Sequence, residues 1–348
     1  MSETAPELLE EVLGIGPALD DALARFIGER RAGIALRAPV RIRTAALIGG
    51  KGGLPLAGCW VETLRAAARR PPFESMAVLV ATQLETGRVR AGRAFADSTQ
   101  ASNAARPSDP GEGYTGSVFR LDVAARLAIP AVPGPIAVWL IARDRAAGPV
   151  RIVVESPHSP GLEDQEVVKF LAAWRRHKMI KPHGADPARA WPPQTTFGSY
   201  PTYRKDAESP PVPENGIALR AKPVVVLGKG ADWVLAGSFR LAVPRRHVVL
   251  EPVSGYATTA LVPITLVITS NEIAGPIVRH LRVPSISPIH PHEAAPVVEG
   301  QFKLNLFSFP GMWRTPQSYF VYAVSGDTIS SPAVTALVAA DPAQRDDR

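Results

Sequence analysis

The chain has 348 residues, 46% of them apolar, with a formal charge of +7 and one cysteine, Cys59. That length exceeds an ordinary single domain and can fill two hydrophobic cores, while a lone cysteine excludes an internal disulfide framework and any thiolate-rich zinc or iron–sulfur site. The acidic start MSETAPELLEE has neither the basic nor the apolar part of a secretory signal, and no run of about 18 apolar residues occurs, so a cytoplasmic chain with no membrane insertion is expected.

Residues 1–31 carry three arginines and seven carboxylates, a charge of −4. Leu8, Leu9, Val12 and Leu13, then Leu19, Leu23, Phe26 and Ile27, recur at helical spacing on either side of Gly14-Ile15-Gly16-Pro17, which predicts an αα-hairpin. The string Leu-Gly-Ile-Gly-Pro before an amphipathic helix resembles a helix-hairpin-helix motif over about 20 residues. That resemblance implies DNA-phosphate contact through the backbone N–H groups of Gly14, Ile15 and Gly16. Asp20 and Asp21 directly after the turn oppose a phosphate electrostatically, and packing on a β domain or a partner chain is the other reading.

Residues 32–156 form a first β module, with strands expected near 34–43, 56–65, 75–84, 88–95, 117–123, 136–143 and 149–155. Sixteen basic against nine acidic side chains make it the most positive segment, at +7, which together with the hairpin keeps a nucleic-acid partner among the alternatives. Its arginines are spread along strands and turns rather than interleaved with aromatics as on a stacking platform. Gly49-Gly50-Lys51-Gly52-Gly53 lacks the spacing of a nucleotide phosphate loop and reads as a turn. Cys59, between Gly58 and Trp60 in an expected strand, points to burial rather than nucleophilic chemistry.

Residues 157–215 are too long for a plain loop. Glu163 to Ile180 has acidic residues early, basic residues late, and Val167, Leu171 and Trp174 on one face, which predicts a helix. The proline-rich remainder predicts a linker. Residues 216–339 form a second β module and 340–348 a tail. Strands are expected near 217–227, 232–243, 261–270, 276–283, 301–307, 318–325 and 331–339, the last two sheet strands flanking a hairpin turn at Gly326-Asp327.

The two modules are copies. GIALRA at Gly33–Ala38 recurs at Gly216–Ala221, an offset of 183. Phe119-Arg120-Leu121-Asp122-Val123 matches Phe302-Lys303-Leu304-Asn305-Leu306 at the same offset, and Leu56-Ala57-Gly58 matches Leu235-Ala236-Gly237 after a small gap. Seven short strands in about 125 residues, with the aromatic-rich Tyr319-Phe320-Val321-Tyr322 in the penultimate one, resemble an immunoglobulin-like or fibronectin-type sandwich. That resemblance implies a mainly β fold of two tandem duplicated β-sandwich modules, without the inter-sheet disulfide, and an interaction role.

For chemistry, the histidines are the sole ligand set, and the first module has none. His290-Pro291-His292, with His247 or His280 brought near by folding, is the candidate site for a divalent metal. No nucleophile elbow, dinucleotide fingerprint or HExxH pattern gives a sequence warrant for an enzyme. The leading expectation is a non-catalytic structural or protein-interaction protein that self-associates or joins a partner and needs no cofactor. A His-dependent metalloenzyme and a nucleic-acid-associated protein are the alternatives.

Overall fold

The computed structural model describes residues 32–38, 41–43, 54–63, 71–95, 113–129, 132–155, 209–228, 230–252, 258–273, 275–286 and 296–340. The N-terminal hairpin, the linker helix and the tail expected from sequence lie outside these residues. The chain divides into two compact units, 1–193 and 194–348. Each is mainly β and contains more than one sheet.

In the first unit the elements run β1 (Gly33–Arg37), β2 (Arg41–Arg43), β3 (Pro55–Thr63), α1 (Phe73–Met76), β4 (Val78–Gln83), β5 (Arg88–Arg93), β6 (Tyr114–Asp122), α2 (Val123–Leu127), β7 (Gly134–Ala142) and β8 (Arg145–Glu155). An antiparallel sheet has the order β1-β3-β6, and a second has the order β2-β8-β7-β4-β5, with β2 parallel to β8. Leu56, Phe119 and Leu121 from the first sheet share one core with Leu79, Val138, Leu140 and Ile152 from the second. Trp60 stacks on Phe73 at 4.7 Å, and Phe95 meets Phe119 edge-on at 5.6 Å. The central strands are buried on both faces: every residue of β4 is buried, as is β7 from Ile136 onward. Their apolar runs therefore lack the alternation of a sheet with one wet face.

The second unit runs β9 (Gly216–Ala221), β10 (Val224–Leu227), β11 (Val234–Ala242), a 3-10 turn at Arg245–His247, β12 (Val249–Pro252), β13 (Thr258–Ser270), β14 (Ile277–Pro284), β15 (Val297–Asn305), a 3-10 turn at Leu306–Ser308, β16 (Gln317–Ser325), β17 (Thr328–Ile329) and β18 (Ala333–Ala339). Its sheets have the orders β15-β11-β9 and β10-β18-β16-β13-β12, with β14 on β13 and β17 on β16. The hairpin expected at Gly326-Asp327 joins β16 to β17.

The strand pairs of the first unit recur in the second in the same register. Leu36 faces Gly58 and Leu219 faces Gly237; Gly58 faces Phe119 and Gly237 faces Phe302. Arg41 faces Val153 in a parallel pair, and Val224 faces Ala336, each 183 residues on. Val80 faces Ala91, and Val267 faces Val278, each 187 residues on. The expected strands 34–43 and 217–227 are each two strands, which pair in different sheets. In the second unit the break falls at Lys222-Pro223, where proline withholds an N–H from the ladder. The 249–252 strand was not expected, because its four residues, VLEP, show no usable alternation.

Two local devices repeat as well. A β-carbon added to Gly58 would lie 2.3 Å from Phe119 Cζ, and one added to Gly237 would lie 2.3 Å from Phe302 Cζ. The ring on the facing strand fills the space that glycine leaves. In the first unit, Asp122 Oδ1 accepts from the N–H groups of Leu54 and Ala125, both at 3.1 Å. In the second, Asn305 Oδ1 accepts from Trp233 N–H at 3.1 Å and Phe307 N–H at 3.0 Å. Each side chain caps the turn after its strand and ties it to the start of the neighbouring strand.

Substituting Gly237→Ala is expected to cost about 1–3 kcal/mol through overpacking against Phe302 and to lower the urea midpoint. Gly228→Ala, where no atom lies within 4 Å of the new β-carbon, is expected to leave the midpoint in place. Asp122→Ala orphans two N–H groups and is expected to cost about 1–2 kcal/mol, and Asp122→Asn, which imitates Asn305, less than half of that. Burial holds the Asp122 carboxyl above its ordinary range against the opposing pull of the Ala125 and Leu54 amides. Its folded pKa is raised, so the unfolded chain loses this proton first as pH rises. The wild type should therefore lose stability relative to Asp122→Asn from about pH 4 upward, which urea titrations of both proteins at several pH values would show.

Candidate functional site

Strand β10 occupies one end of its sheet and, among the described strands, pairs on one side alone, with β18. Alternation turns Val225 into the core and Val224 and Val226 outward. The parallel register places Val226 beside Val338 and Val224 beside Ala336, so these side chains share a face with Val334. Val224 is 54% exposed, Val226 57%, Val334 46% and Val338 37%. Exposed valines are unremarkable singly, but four side by side on two adjacent strands form a contiguous apolar strip.

The corresponding face of the first unit has the opposite character. At the offset of 183, Val224 and Val226 correspond to Arg41 and Arg43, Val334 to Arg151, and Val338 to Glu155. Arg41 Nη1 pairs with Glu155 Oε1 at 3.4 Å across the two strands, and Arg41 and Arg151 are exposed. The backbone pairing is the same, yet all four charged positions are valine in the second unit. Charged edge residues protect a sheet end from further strand addition. The second unit carries none of those four charges.

The histidines expected to bind metal are distributed differently. His290 and His292 lie outside the described residues, as do Gly14, Ile15 and Gly16. His247 is buried in the 3-10 turn, and its carbonyl accepts from Arg282 Nη1 at 3.1 Å. His280 stands on β14 with Nδ1 3.0 Å from Thr265 Oγ1 of β13. Burial, reinforced by the positive charge of Arg279, lowers its pKa to about 4. Of the two, the His280 imidazole is engaged by a side chain of the sheet, whereas the bond to His247 is made by its backbone. Among the described residues no group of three or more His, Cys, Asp or Glu side chains is placed to hold a metal ion. Cys59 is fully buried in β3.

One charged cluster went unnoticed in the sequence. Arg143, buried and in the left-handed region at φ 55°, donates to Glu62 and to the carbonyl of Pro71. The position 183 residues on is Gly326, at φ 59°. A left-handed turn residue is required in both hairpins, and the first unit uses an arginine anchored by its ion pair where the second uses glycine. Burial raises the pKa of nearby Glu74, and the charge of Glu62 adds to the effect. The arrangement fixes the β7–β8 turn against β3.

No described helix is long and apolar enough to cross a membrane. No family model matches the sequence, and no curated protein matches it.

Because its folded pKa lies below the ordinary 6.5, His280 contributes stability that is present above that pH and lost as pH falls toward 4. His280→Gln is expected to flatten this acid limb while leaving stability at pH 8 within the effect of one hydrogen bond, about 1 kcal/mol, as read from urea midpoints across the range.

Proposed function

We propose that this chain is a non-catalytic structural or protein-interaction protein, built from a duplicated immunoglobulin-like β-sandwich, that works through the valine face of its second copy. Support for the fold comes from strand order. In the first unit the small sheet β1-β3-β6 shares a core with the sheet β2-β8-β7-β4-β5, and in both units the second part of the split first strand runs parallel to the last strand. The second copy also carries the feature known in such sandwiches as a tyrosine corner. Tyr319, near the start of the penultimate sheet strand, donates its hydroxyl to the carbonyl of Thr315 at 3.0 Å and receives Gln317 Nε2 at 2.8 Å. Residue 136, at the matching position, is isoleucine.

The observation that carries the functional reading is that four charged positions of the first unit are four valines in the second, on strands whose backbone pairing is the same. Exposed apolar side chains on a sheet edge that no described strand covers invite aggregation and contribute nothing to the core, so their presence as a set fits a surface that is covered in use. A duplicated scaffold lets one copy keep a soluble edge while the other specialises.

In-cell photocrosslinking from a photoreactive residue at Val334 tests this reading. A discrete protein adduct is expected in the wild-type background. It should disappear when Val224→Arg and Val338→Glu restore the first copy's ion pair. Absence of any adduct, or an adduct indifferent to that pair of substitutions, would refute the role of this face.

A further inference from the structure

We infer that β10 is a homodimerisation edge, two copies of the chain joining β10 to β10 in antiparallel register about Val225. The inference rests on the reading of the valine face as an interaction surface and names its occupant as a second copy.

Backbone phase is the first argument. Ala336 donates its N–H to the carbonyl of Pro223 at 2.8 Å, within a ladder where Val224 faces Ala336 and Val225 faces Leu337. In a parallel ladder alternate residues of one strand bond to the other, so Val225 turns both backbone groups toward β18 while Val224 and Val226 turn theirs to the open edge. Antiparallel pairing about Val225 sets Val224 opposite Val226 of the partner copy. In that register these two residues exchange both N–H···O bonds, and the twofold axis repeats the exchange on the other side of Val225.

Charge is the second. The same geometry applied to the matching edge of the first unit would set Arg41 opposite Arg43 of the second copy, like charges face to face, which is destabilising. At β10 the opposed residues are valines, and Lys222 falls opposite Gly228. Self-pairing is thus blocked at one edge of the chain and permitted at the equivalent edge.

Area is the third. From the fractional exposures, the four valines offer about 300 Å² of apolar surface per copy, against about 800 Å² per partner in a stable interface. The valine strip is too small to hold a globular partner through side chains alone. An edge pairing that adds main-chain hydrogen bonds and joins two strips into one continuous apolar face meets that deficit in part. The result is a reversible dimer that forms with rising concentration rather than an obligate one.

Sedimentation of the purified full-length chain, from low micromolar to near millimolar concentration, tests the inference. The average mass is expected to climb from one chain toward two. Val226→Pro removes an N–H that faces the open edge and leaves the β18 ladder intact, and it is expected to weaken association at least about tenfold. The Val224→Arg and Val338→Glu pair, which carries residues the fold already accepts in its first unit, is expected to do the same. A chain that stays monomeric throughout, or a dimer that both variants leave unchanged, overturns the inference. Monomers that nonetheless give a Val334 photo-adduct with a different protein overturn the homodimer and leave the interaction face standing; monomers with no adduct remove both.

Discussion

The small sheet of each unit depends on a cross-strand pair in which glycine faces phenylalanine. Gly58 with Phe119 and Gly237 with Phe302 put an aromatic ring where a β-carbon would stand, and the ring's other contacts lie in the core between the two sheets. Register follows from this fit. A slip of one residue would drive a side chain into the ring and send the alternate residues to the wrong face. Three residues beyond each phenylalanine, Asp122 or Asn305 ties the strand end to the neighbouring strand's beginning, so the two devices together fix both position and direction of the sheet. That aspartate serves in one unit and asparagine in the other shows what the site selects: an oxygen that accepts two amide protons. The charge is incidental to it.

With backbone and core so constrained, the outward positions are where the units differ. Arg41, Arg151 and Glu155 decorate a sheet end whose counterpart carries Val224, Val334 and Val338. Isolated surface substitutions cost little, and one such exchange would mean nothing. Four that convert every charged position of a face to the same β-branched apolar residue form a pattern, because each exposes surface that water disfavours and none adds to the core. The proposed interaction would supply the compensating gain, in a contact that covers the face.

Much of this architecture was legible before any coordinates. The constant offset from GIALRA to GIALRA, and from Phe119 to Phe302, identified equivalent strands, and the alternation at Phe302 and Leu304 marked part of β15, whereas Leu306, which continues the period, already lies in the 3-10 turn. The split of the first strand was hidden because GIALRA-KPVVV is apolar and β-branched on both sides of the proline, so period and propensity run through a point where the chain changes sheets. Strands β4 and β7 were expected near 75–84 and 136–143 and are found there, although burial on both faces leaves them no polar phase. The candidate metal site rests on the spacing of His290-Pro291-His292, which lie outside the described residues, with His247 or His280 to be brought near by folding, a step for which imidazoles in different elements carry no spacing signal. In the fold His280 bonds to Thr265 and His247 sits in a tight turn under Arg282.

The valine face was also written in the sequence, but in the differences between the copies rather than in their matches. A repeat is recognised by its identical residues, and pairs such as Gly58 with Gly237 and Phe119 with Phe302 serve the fold. Position 41 set beside 224, or 155 beside 338, looks like a failed match. Only the pairing of β2 with β8 and of β10 with β18 shows that these failures share one surface. Two units with the same strand pairing act as internal controls for each other: what both share reports on folding, and a coherent difference at solvent points to where a use is to be sought.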